Sequence, residues 1–234
     1  MIPKTIHYCW FGGKEKPKLA KKCIASWKKY CPDYEIIEWN ETNFDVSSNV
    51  YVKEAYDAKK YAFVTDYVRL YVMHKYGGIY MDTDVEVIRS LDKFLIHNAF
   101  SGFESDENIP TGIMASEKGF PLFEILLSYY DDRHFLNPDG TLDMTTNVKI
   151  ITAILLERGF VPNGCYQVID GFALYPQDYF CPYNDLTGEL HRTKNTVTIH
   201  WFNKSWLSRN ARIRSELTKP FHRIFGKDCF AWLK

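Results

Sequence analysis

The chain has 234 residues, 46% of them hydrophobic and 25% charged, which is typical of a soluble globular protein with a sizeable core. Its 29 basic and 29 acidic side chains cancel. Nucleic-acid-binding proteins usually carry a strong basic excess, so nucleic acid is not expected as a partner. The charge is unevenly placed, because eight basic residues face only two acids between Trp201 and Lys234. This segment therefore carries an excess of about six positive charges, balanced by the rest of the chain.

The six cysteines show no CxxC spacing, which argues against a zinc knuckle. The apolar run at the N-terminus is broken by Lys4 and His7, so it does not read as a signal peptide. The sequence contains no run of about 18 apolar residues, which is the length needed to span a bilayer. We therefore expect a cytoplasmic protein with free thiols.

The first predicted elements are a strand at 2–10, a helix at 18–30 and a strand at 34–39, an order that suggests a parallel βαβ unit. A second helix is predicted at 59–75, ended by Gly77 and Gly78, and strands follow at 79–81 and 85–88. Further strands are predicted at 99–104, 109–114, 166–169, 173–175 and 196–200. Further helices are predicted at 121–130, at 144–158 and from 205 onward. The alternation predicts an α/β sandwich.

Asp82 and Asp84 stand two residues apart, directly after the predicted strand 79–81. Two convergent carboxylates repel each other unless a positive group lies between them. A hard divalent cation fills this role and keeps positions open for phosphate oxygens. A lone D-x-D triplet also arises by chance in solvated turns, so its surroundings decide the interpretation.

Those surroundings resemble a known family. The segments AFVTDYVRLY at 62–71 and YGGIYMDTD at 76–84 are similar to glycosyltransferase family 32, whose sugar-binding region contains a DXD motif. The resemblance extends to IPKTIHYCWFG at 2–12, to Ser26-Trp27 and to PDYE at 32–35. It covers most of residues 1–95, whereas 105–190 match only loosely.

The resemblance implies a GT-A fold, with a mixed and mostly parallel sheet flanked by helices. A catalytic domain is then expected at 1–204, with a nucleotide-binding half at 1–104 and an acceptor half at 105–204. A basic helical tail is expected at 205–234. The family also implies retaining transfer from a UDP-sugar, with a GDP-sugar less favoured. Manganese is the expected cofactor, with magnesium as the alternative.

Carried over residue by residue, the resemblance makes Asp84 the direct metal ligand. Asp82 would hold the donor's ribose and reach the metal through water, with Thr83 between them at the donor. Asp66 and Arg69 lie on one face of the second helix, where they approach the donor or, alternatively, form an ordinary surface ion pair. Trp10 is expected to stack near the base or to pack in the core. His7 is expected to be structural.

Near the C-terminus, His200 follows a predicted strand and could complete the metal shell. Asn203 and Ser205 remain alternatives for the third ligand. Lys204 is expected to stabilise the departing diphosphate and Trp206 to contact the donor. The acids Asp131, Asp132, Asp143 and Asp170, together with Asn147, are unranked candidates for donor or acceptor contact.

The predicted function is therefore a retaining, manganese-dependent glycosyltransferase acting on a saccharide or a lipid-linked glycan, in bacterial surface polysaccharide synthesis by analogy. The basic tail could lie on an anionic membrane, at the inner face of the plasma membrane, or pack on the domain. The alternatives are a phosphatase of the haloacid dehalogenase type and a nucleotide-sugar-binding module without turnover. The oligomeric state does not follow from the sequence.

Overall fold

The computed structural model describes residues 1–105, 107–109, 112–204, 207–226 and 229. The helices are α1 (Lys18–Tyr30), α2 (Val50–Asp57), α3 (Tyr61–Tyr76), α4 (Pro121–Ser128), α5 (Asn147–Glu157), α6 (Gln177–Phe180) and α7 (Arg209–Phe225). The strands are β1 (Thr5–Cys9), β2 (Glu35–Trp39), β3 (Gly78–Met81), β4 (Val85–Val87), β5 (Ala99–Gly102), β6 (Ile113–Ser116), β7 (Gln167–Ile169), β8 (Phe172–Tyr175), β9 (Tyr183–Asn184), β10 (Glu189–Leu190) and β11 (Thr198–His200). A 3₁₀ turn lies at Asp92–Phe94.

Seven strands form the central sheet in the order β2-β1-β3-β6-β5-β8-β7. Strands β2, β1 and β3 are parallel neighbours, β6 is antiparallel to both β3 and β5, and β8 is parallel to β5. Since β7 is antiparallel to β8, five of the seven strands run in one direction. The carboxyl ends of β1, β3, β5 and β8 therefore meet at one edge, where α/β proteins commonly bind ligands.

Alternate residues of the strands enter two hydrophobic clusters, one on each face of the sheet. In β3, Ile79 and Met81 join the cluster that contains Trp27 of α1, whereas Tyr80 joins the cluster with α3 and α4. In β6 the same alternation separates Ile113 from Met114. Successive side chains of a strand point to opposite faces, so the sheet lies between two helical layers.

The predicted mixed and mostly parallel sheet flanked by helices is confirmed, and its assignment to the GT-A type remains a prediction. Helix α1 has the predicted bounds, and β1, α1 and β2 form the predicted parallel βαβ unit. The strand predicted at 109–114 is instead Ile113–Ser116. The sequence interpretation omitted α2, α6 and the short pair β9–β10.

The proposed halves 1–104 and 105–204 share the central sheet, because β6, β7 and β8 of the second half lie in the same sheet as β1, β2, β3 and β5. The division between them remains a prediction. All six cysteines belong to the described residues and are free. Within the described ranges, no helix has both the length and the hydrophobicity needed to cross a membrane.

Candidate metal and donor site

The two aspartates lie on a tight turn between β3 and β4. The backbone N–H of Val85 donates to the carbonyl of Asp82 at 3.0 Å, which closes a four-residue turn over Asp82, Thr83 and Asp84. The N–H of Asp82 donates to the carbonyl of Gly112 at 2.9 Å. The chain thus leaves the central sheet at Asp82 and at Val85 enters β4, which pairs with β11 in a separate two-stranded sheet. Both carboxylates lie at the edge of the central sheet where its parallel strands end.

The Asp82 carboxylate is held by groups from the sheet and from α3. Tyr80 donates its hydroxyl to Oδ1 at 2.8 Å, and Arg69 Nη2 lies 3.3 Å from the same oxygen. The Arg69 guanidinium also lies over the Tyr80 ring, 4.8 Å from its centroid. Arg69 is buried, so its charge is satisfied by protein groups rather than by water.

Asp66 is the second carboxylate on Arg69. Its Oδ1 lies 3.2 Å from Arg69 Nη2, so one guanidinium bridges Asp66 and Asp82. The backbone N–H of Asn147, the first residue of α5, donates to Asp66 Oδ2 at 3.3 Å, and its side-chain amide donates to the Asp66 carbonyl at 2.9 Å. Burial raises the pKa of Asp66 to about 6, although Arg69 opposes the shift. The pair is therefore a buried network and not an exposed ion pair worth little.

The Asp84 carboxylate is held from the opposite end of the chain. His200 Nε2 lies 3.3 Å from Oδ1, and the backbone N–H of Asn203 donates to Oδ2 at 2.7 Å. The backbone N–H of Trp201 donates to the Asp84 carbonyl at 3.0 Å. Burial raises the pKa of Asp84, but the charge and hydrogen bond of His200 outweigh it, and the net pKa is lowered. Burial lowers the pKa of His200, but Asp84 outweighs it, and the net pKa is raised.

Strand pairing places His200 beside Asp84. Strands β11 and β4 are antiparallel, and His200 is the register partner of Val85. Space for the imidazole comes from Gly112, where a Cβ would lie 2.8 Å from His200 Nδ1. Nδ1 is buried, and it has no hydrogen-bond partner in the part of the chain that the structure describes. Gly112 therefore leaves room for the imidazole because it has no side chain. The sequence analysis did not assign this role.

Asp82, Asp84 and His200 each offer a ligand atom, and these atoms lie within 4.8 Å of one another. This spacing is comparable with the ligand spread around one hard divalent cation, about 4–5 Å. Carboxylate and imidazole donors together suit Mn²⁺. The residues therefore fit a divalent cation. Asn203 reaches the cluster through its backbone N–H, and Ser205 lies outside the described residues.

Glu104 is a further carboxylate at this edge, two residues after β5. Its backbone carbonyl accepts from Gln177 Nε2 at 2.6 Å. Burial raises the pKa of Glu104, with smaller contributions of opposite sign from His200, which lowers it, and Asp82, which raises it. An acid at the end of the strand predicted at 99–104, on the edge that carries Asp82, was the signal that could have identified it.

The other residues predicted to contact the donor lie in different environments. Trp10 follows β1 and donates Nε1 to the Lys14 carbonyl at 2.5 Å. Lys204 Nζ lies 2.5 Å from Asp185 Oδ2 and also donates to Ser215 of α7. Thr83 occupies the turn between the two aspartates. The predicted roles of these residues remain predictions, and Trp206 lies outside the described residues.

The five unranked candidates for donor or acceptor contact have different partners in the structure. Asn147 is buried and hydrogen-bonded to Asp66, so it positions the network around Arg69. Asp143 pairs with Arg133 at 2.8 Å, and Asp170 pairs with Arg158 at 2.7 Å. Asp131 and Asp132 are exposed. Among these residues, only Asn147 is tied by the described contacts to the Asp66–Arg69–Asp82 network.

Comparison with known proteins identifies the same segment as the D-x-D motif. The family described as glycosyltransferase sugar-binding region containing DXD motif matches residues 17–101. Inositol phosphoceramide mannosyltransferase 3 of Schizosaccharomyces pombe is 32% identical over 128 residues, 51% of this chain and 35% of that protein. Mannosyl phosphorylinositol ceramide synthase SUR1 of Saccharomyces cerevisiae is 28% identical over 165 residues, covering 66% and 42%. An uncharacterized glycosyltransferase, L373 of Acanthamoeba polyphaga mimivirus, is 27% identical and covers 78% of both chains.

The chain spans little more than a third of the length of the first two mannosyltransferases it matches. Among solved structures, the PaToxG glycosyltransferase has a TM-score of 0.49 at 19% identity, covering 67% of this chain and 69% of its own. The galactosyltransferase LgtC has a TM-score of 0.43 at 14% identity, covering 98% and 99%. Residues 17–101, which include Asp82 and Asp84, are thus similar to the glycosyltransferases whose sugar-binding region contains a DXD motif.

Proposed function

We propose that the protein is a glycosyltransferase that takes a sugar from a nucleotide-sugar donor with the help of a divalent cation. The observation that carries the proposal is the convergence of His200 with Asp82 and Asp84, whose ligand atoms all lie within 4.8 Å of one another. Both aspartates belong to the segment that matches the DXD family. These residues would hold the cation. When bound, the cation would neutralise the negative charge that develops on the departing diphosphate.

The protein's own groups pre-organise the two carboxylates. Arg69, fixed by Asp66, holds Asp82 from the α3 side, and we assign Asp82 to the donor's ribose and to the outer metal shell. The Asn203 N–H fixes the second oxygen of Asp84 and leaves the first one facing His200. A site held by buried hydrogen bonds reorganises little during the reaction, which is the main source of electrostatic catalysis.

We assign Trp10 to the base, Thr83 to the donor between the two aspartates, and Lys204 to the leaving diphosphate. Lys204 would exchange its partner Asp185 for a phosphate oxygen when donor binds, since both are anionic acceptors. Trp206 would contact the donor from the same C-terminal segment.

Manganese is the proposed cation, with magnesium as the alternative, and a UDP-sugar is the proposed donor. The names of the fungal relatives add mannose as a candidate sugar, so a GDP-mannose donor belongs among the compounds tested. We propose retention at the anomeric carbon, with the acceptor hydroxyl attacking from the face that the diphosphate leaves. A double displacement would need a carboxylate nucleophile, and Glu104 at the same sheet edge is the candidate for it.

The proposed acceptor is a saccharide or a lipid-linked glycan, and the fungal relatives' names, which mention ceramide lipids, favour the second. Surface polysaccharide synthesis in bacteria remains the proposed role. The proposed location is the cytoplasm, with peripheral association at the inner face of the plasma membrane through the basic C-terminal segment.

The two rival functions fare differently. A phosphatase of the haloacid dehalogenase type would need its D-x-D on an early strand, whereas Asp82 follows the third strand and lies in the segment that matches the glycosyltransferase family. A binding module without turnover would keep the same ligands. Only an activity measurement separates it from an enzyme.

The test incubates the purified protein with Mn²⁺ or Mg²⁺ and a panel of UDP- and GDP-sugars, and measures free nucleotide. Many transferases slowly hydrolyse their donors, so no acceptor is required. Asp84→Asn keeps the side-chain size and removes the charge. Asp57→Asn is the matched control, because Asp57 is exposed and pairs only with Lys53 in the described contacts.

We expect release from one donor that depends on the cation, is lost in Asp84→Asn and is retained in Asp57→Asn. Cation-dependent nucleotide binding without release from any donor would favour the binding module. Neither release nor cation-dependent nucleotide binding would overturn the assignment of the site.

A further inference from the structure

Helix α7 carries its large apolar side chains on the outside of the molecule. Ile213, Leu217, Phe221, Ile224 and Phe225 recur at helical spacing and are between 49% and 72% exposed. These five residues form one continuous outer stripe, since positions three, four, seven and eight apart share a helix face. A helix that packs on a domain normally turns such a stripe inward. We call these five residues the outer stripe.

The opposite face of α7 meets the domain through polar groups. Ser215 accepts from Lys204, and Lys219 Nζ lies 3.0 Å from the Tyr183 hydroxyl and 3.8 Å from Asp185. Arg223 donates to the Thr187 carbonyl at 3.0 Å. The polar face is therefore already used, and the orientation of the helix is fixed by these bonds. Turning the outer stripe toward the domain would break them.

Cations border the outer stripe. Lys204, Lys219 and Arg223 have carboxylate partners. Arg212 and Arg214 are exposed, and neither forms an ion pair with the residues that the structure describes. Large exposed apolar patches mark interaction sites, and free arginines beside one favour an anionic partner. Apolar insertion flanked by arginine is the chemistry of an anionic lipid surface.

We propose that α7 lies in the surface of an anionic bilayer and inserts the outer stripe among the acyl chains. The proposal rests on the proposed function, because it specifies how the transferase would meet a lipid-linked acceptor. It goes beyond a basic tail attracted by charge alone. The stripe supplies the hydrophobic part of the binding, Arg212 and Arg214 supply the electrostatic part, and the polar contacts set the orientation of the whole domain.

This orientation has a consequence for the site. A cavity of about 560 Å³ lies between α7 and residues 201–204, and Ile213 and Leu217 of the outer stripe also line it. Tyr183, Trp201 and Phe202 add aromatic walls, on which sugar rings can stack. Asn203, whose N–H binds Asp84, lies on the same wall. A glycan whose lipid sits in the bilayer would therefore enter beside the metal ligands.

The test is sedimentation of the full chain with phosphatidylcholine vesicles, with and without about 30% phosphatidylglycerol, at low and high salt. The stripe variant is Leu217→Gln with Ile224→Gln, which keeps two good helix formers. The matched control is Ile96→Gln, because Ile96 is 81% exposed but lies outside α7. The charge variant is Arg212→Gln with Arg214→Gln. Circular dichroism and gel filtration accompany each variant.

We expect the wild type and Ile96→Gln to bind the anionic vesicles, with the bound fraction falling as salt rises. The stripe variant should lose about thirtyfold in partition coefficient on both vesicle types, since it removes two aliphatic side chains from the acyl-chain region. The charge variant should lose only the preference for phosphatidylglycerol.

Absence of vesicle binding by the wild type at low salt would overturn the proposal. Equal binding of the stripe variant and the wild type would also overturn it, because charge alone would then suffice. A wild-type dimer that the stripe variant makes monomeric, without vesicle binding, would assign the stripe to a second copy of the chain. Donor hydrolysis in solution does not require a membrane, so each of these failures leaves the proposed transferase activity to its own assay.

Discussion

The two carboxylates of the site are fixed by different parts of the chain. Asp82 is held by Tyr80 and Arg69, which lie within 13 residues of it along the chain. Asp84 is held by His200 and Asn203, more than 110 residues away. The Asp82 side is a buried network anchored to α3 and the sheet. The Asp84 side depends on the C-terminal segment that also carries α7, so we expect the first to govern stability and the second to govern cation binding.

His7 and His200 show the same contrast between the Asp82 side and the Asp84 side. His7 lies on the Asp82 side, between the Gly77 carbonyl at 3.0 Å and Trp39 Nε1 at 3.1 Å. One ring nitrogen must donate to the carbonyl and the other must accept from the indole, so the ring is neutral. Burial lowers the pKa of His7 to about 4, whereas the pKa of His200, next to Asp84, is raised. One imidazole supports the fold, and the other is available to the site.

The largest effect on stability should come from Arg69→Met. It leaves Asp66 and Asp82 without their shared cation in a buried place, which typically costs about 3–5 kcal/mol. We expect urea unfolding of the metal-free protein to show this loss, and Arg69→Met with Asp66→Asn to recover part of it. His200→Gln, on the other side, should cost much less. A similar loss in both single variants would erase the proposed division between the two sides.

The next effect is the pH dependence that His7 introduces. Its pKa is about 6.5 in the unfolded chain and about 4 in the folded one, so the unfolded state binds more protons between these values. The free energy of unfolding should therefore fall as pH drops from about 6.5 toward 4, by about 3 kcal/mol in total.

The variant His7→Gln removes this titration, and its unfolding free energy should depend less on pH over the same interval. Measurements at pH 7, 5.5 and 4.5, with chelator present, give the difference between the two proteins at each value. A constant difference would mean that His7 titrates alike in both states.

Glu104 belongs to neither the Asp82 side nor the Asp84 side, and its position at the sheet edge suggests a test of catalysis. Glu104→Gln removes the charge and keeps the shape, and we expect kcat for donor hydrolysis to fall about a hundredfold with little change in cation affinity. Gln177→Glu at the neighbouring contact controls for general disturbance of this loop. An unchanged kcat in Glu104→Gln would remove Glu104 from the reaction.

Most of the Asp82 side could be predicted from the sequence. Helical spacing placed Asp66 and Arg69 on one face of α3, and the strand before Asp82 follows from its apolar run and the preceding glycines. His7 was expected to be structural, which its buried hydrogen bonds support. Local patterns suffice here because the interacting residues lie within a few helical turns or on neighbouring strands.

The Asp84 side could be predicted only in part. His200 was one of three alternatives for the third ligand, since the pairing of β11 with β4 joins segments that no local pattern connects. The strand predicted at 109–114 is displaced to Ile113–Ser116, which hid the close approach of Gly112 to His200. The polar inner face of α7 was hidden for the same reason, because its partners Tyr183 and Asp185 are distant in sequence.

The smallest expected effect tests the close approach of Gly112 to His200. In Gly112→Ala, the new methyl group would lie 2.8 Å from His200 Nδ1, so the imidazole must move away from Asp84. We expect Mn²⁺ affinity to fall about tenfold, as for other residues that orient metal ligands, while the pH dependence due to His7 stays unchanged. Isothermal titration of Mn²⁺ into the metal-free protein measures the change.

The matched control is Gly102→Ala, whose methyl group would lie 2.8 Å from Phe180 and not from His200. It should lower stability through crowding of the core and leave Mn²⁺ affinity alone. Equal losses of affinity in the two alanine variants would mean that His200 is sensitive to strain anywhere in this layer. A loss confined to Gly112→Ala would instead show that the space left by one missing side chain sets the position of the third ligand.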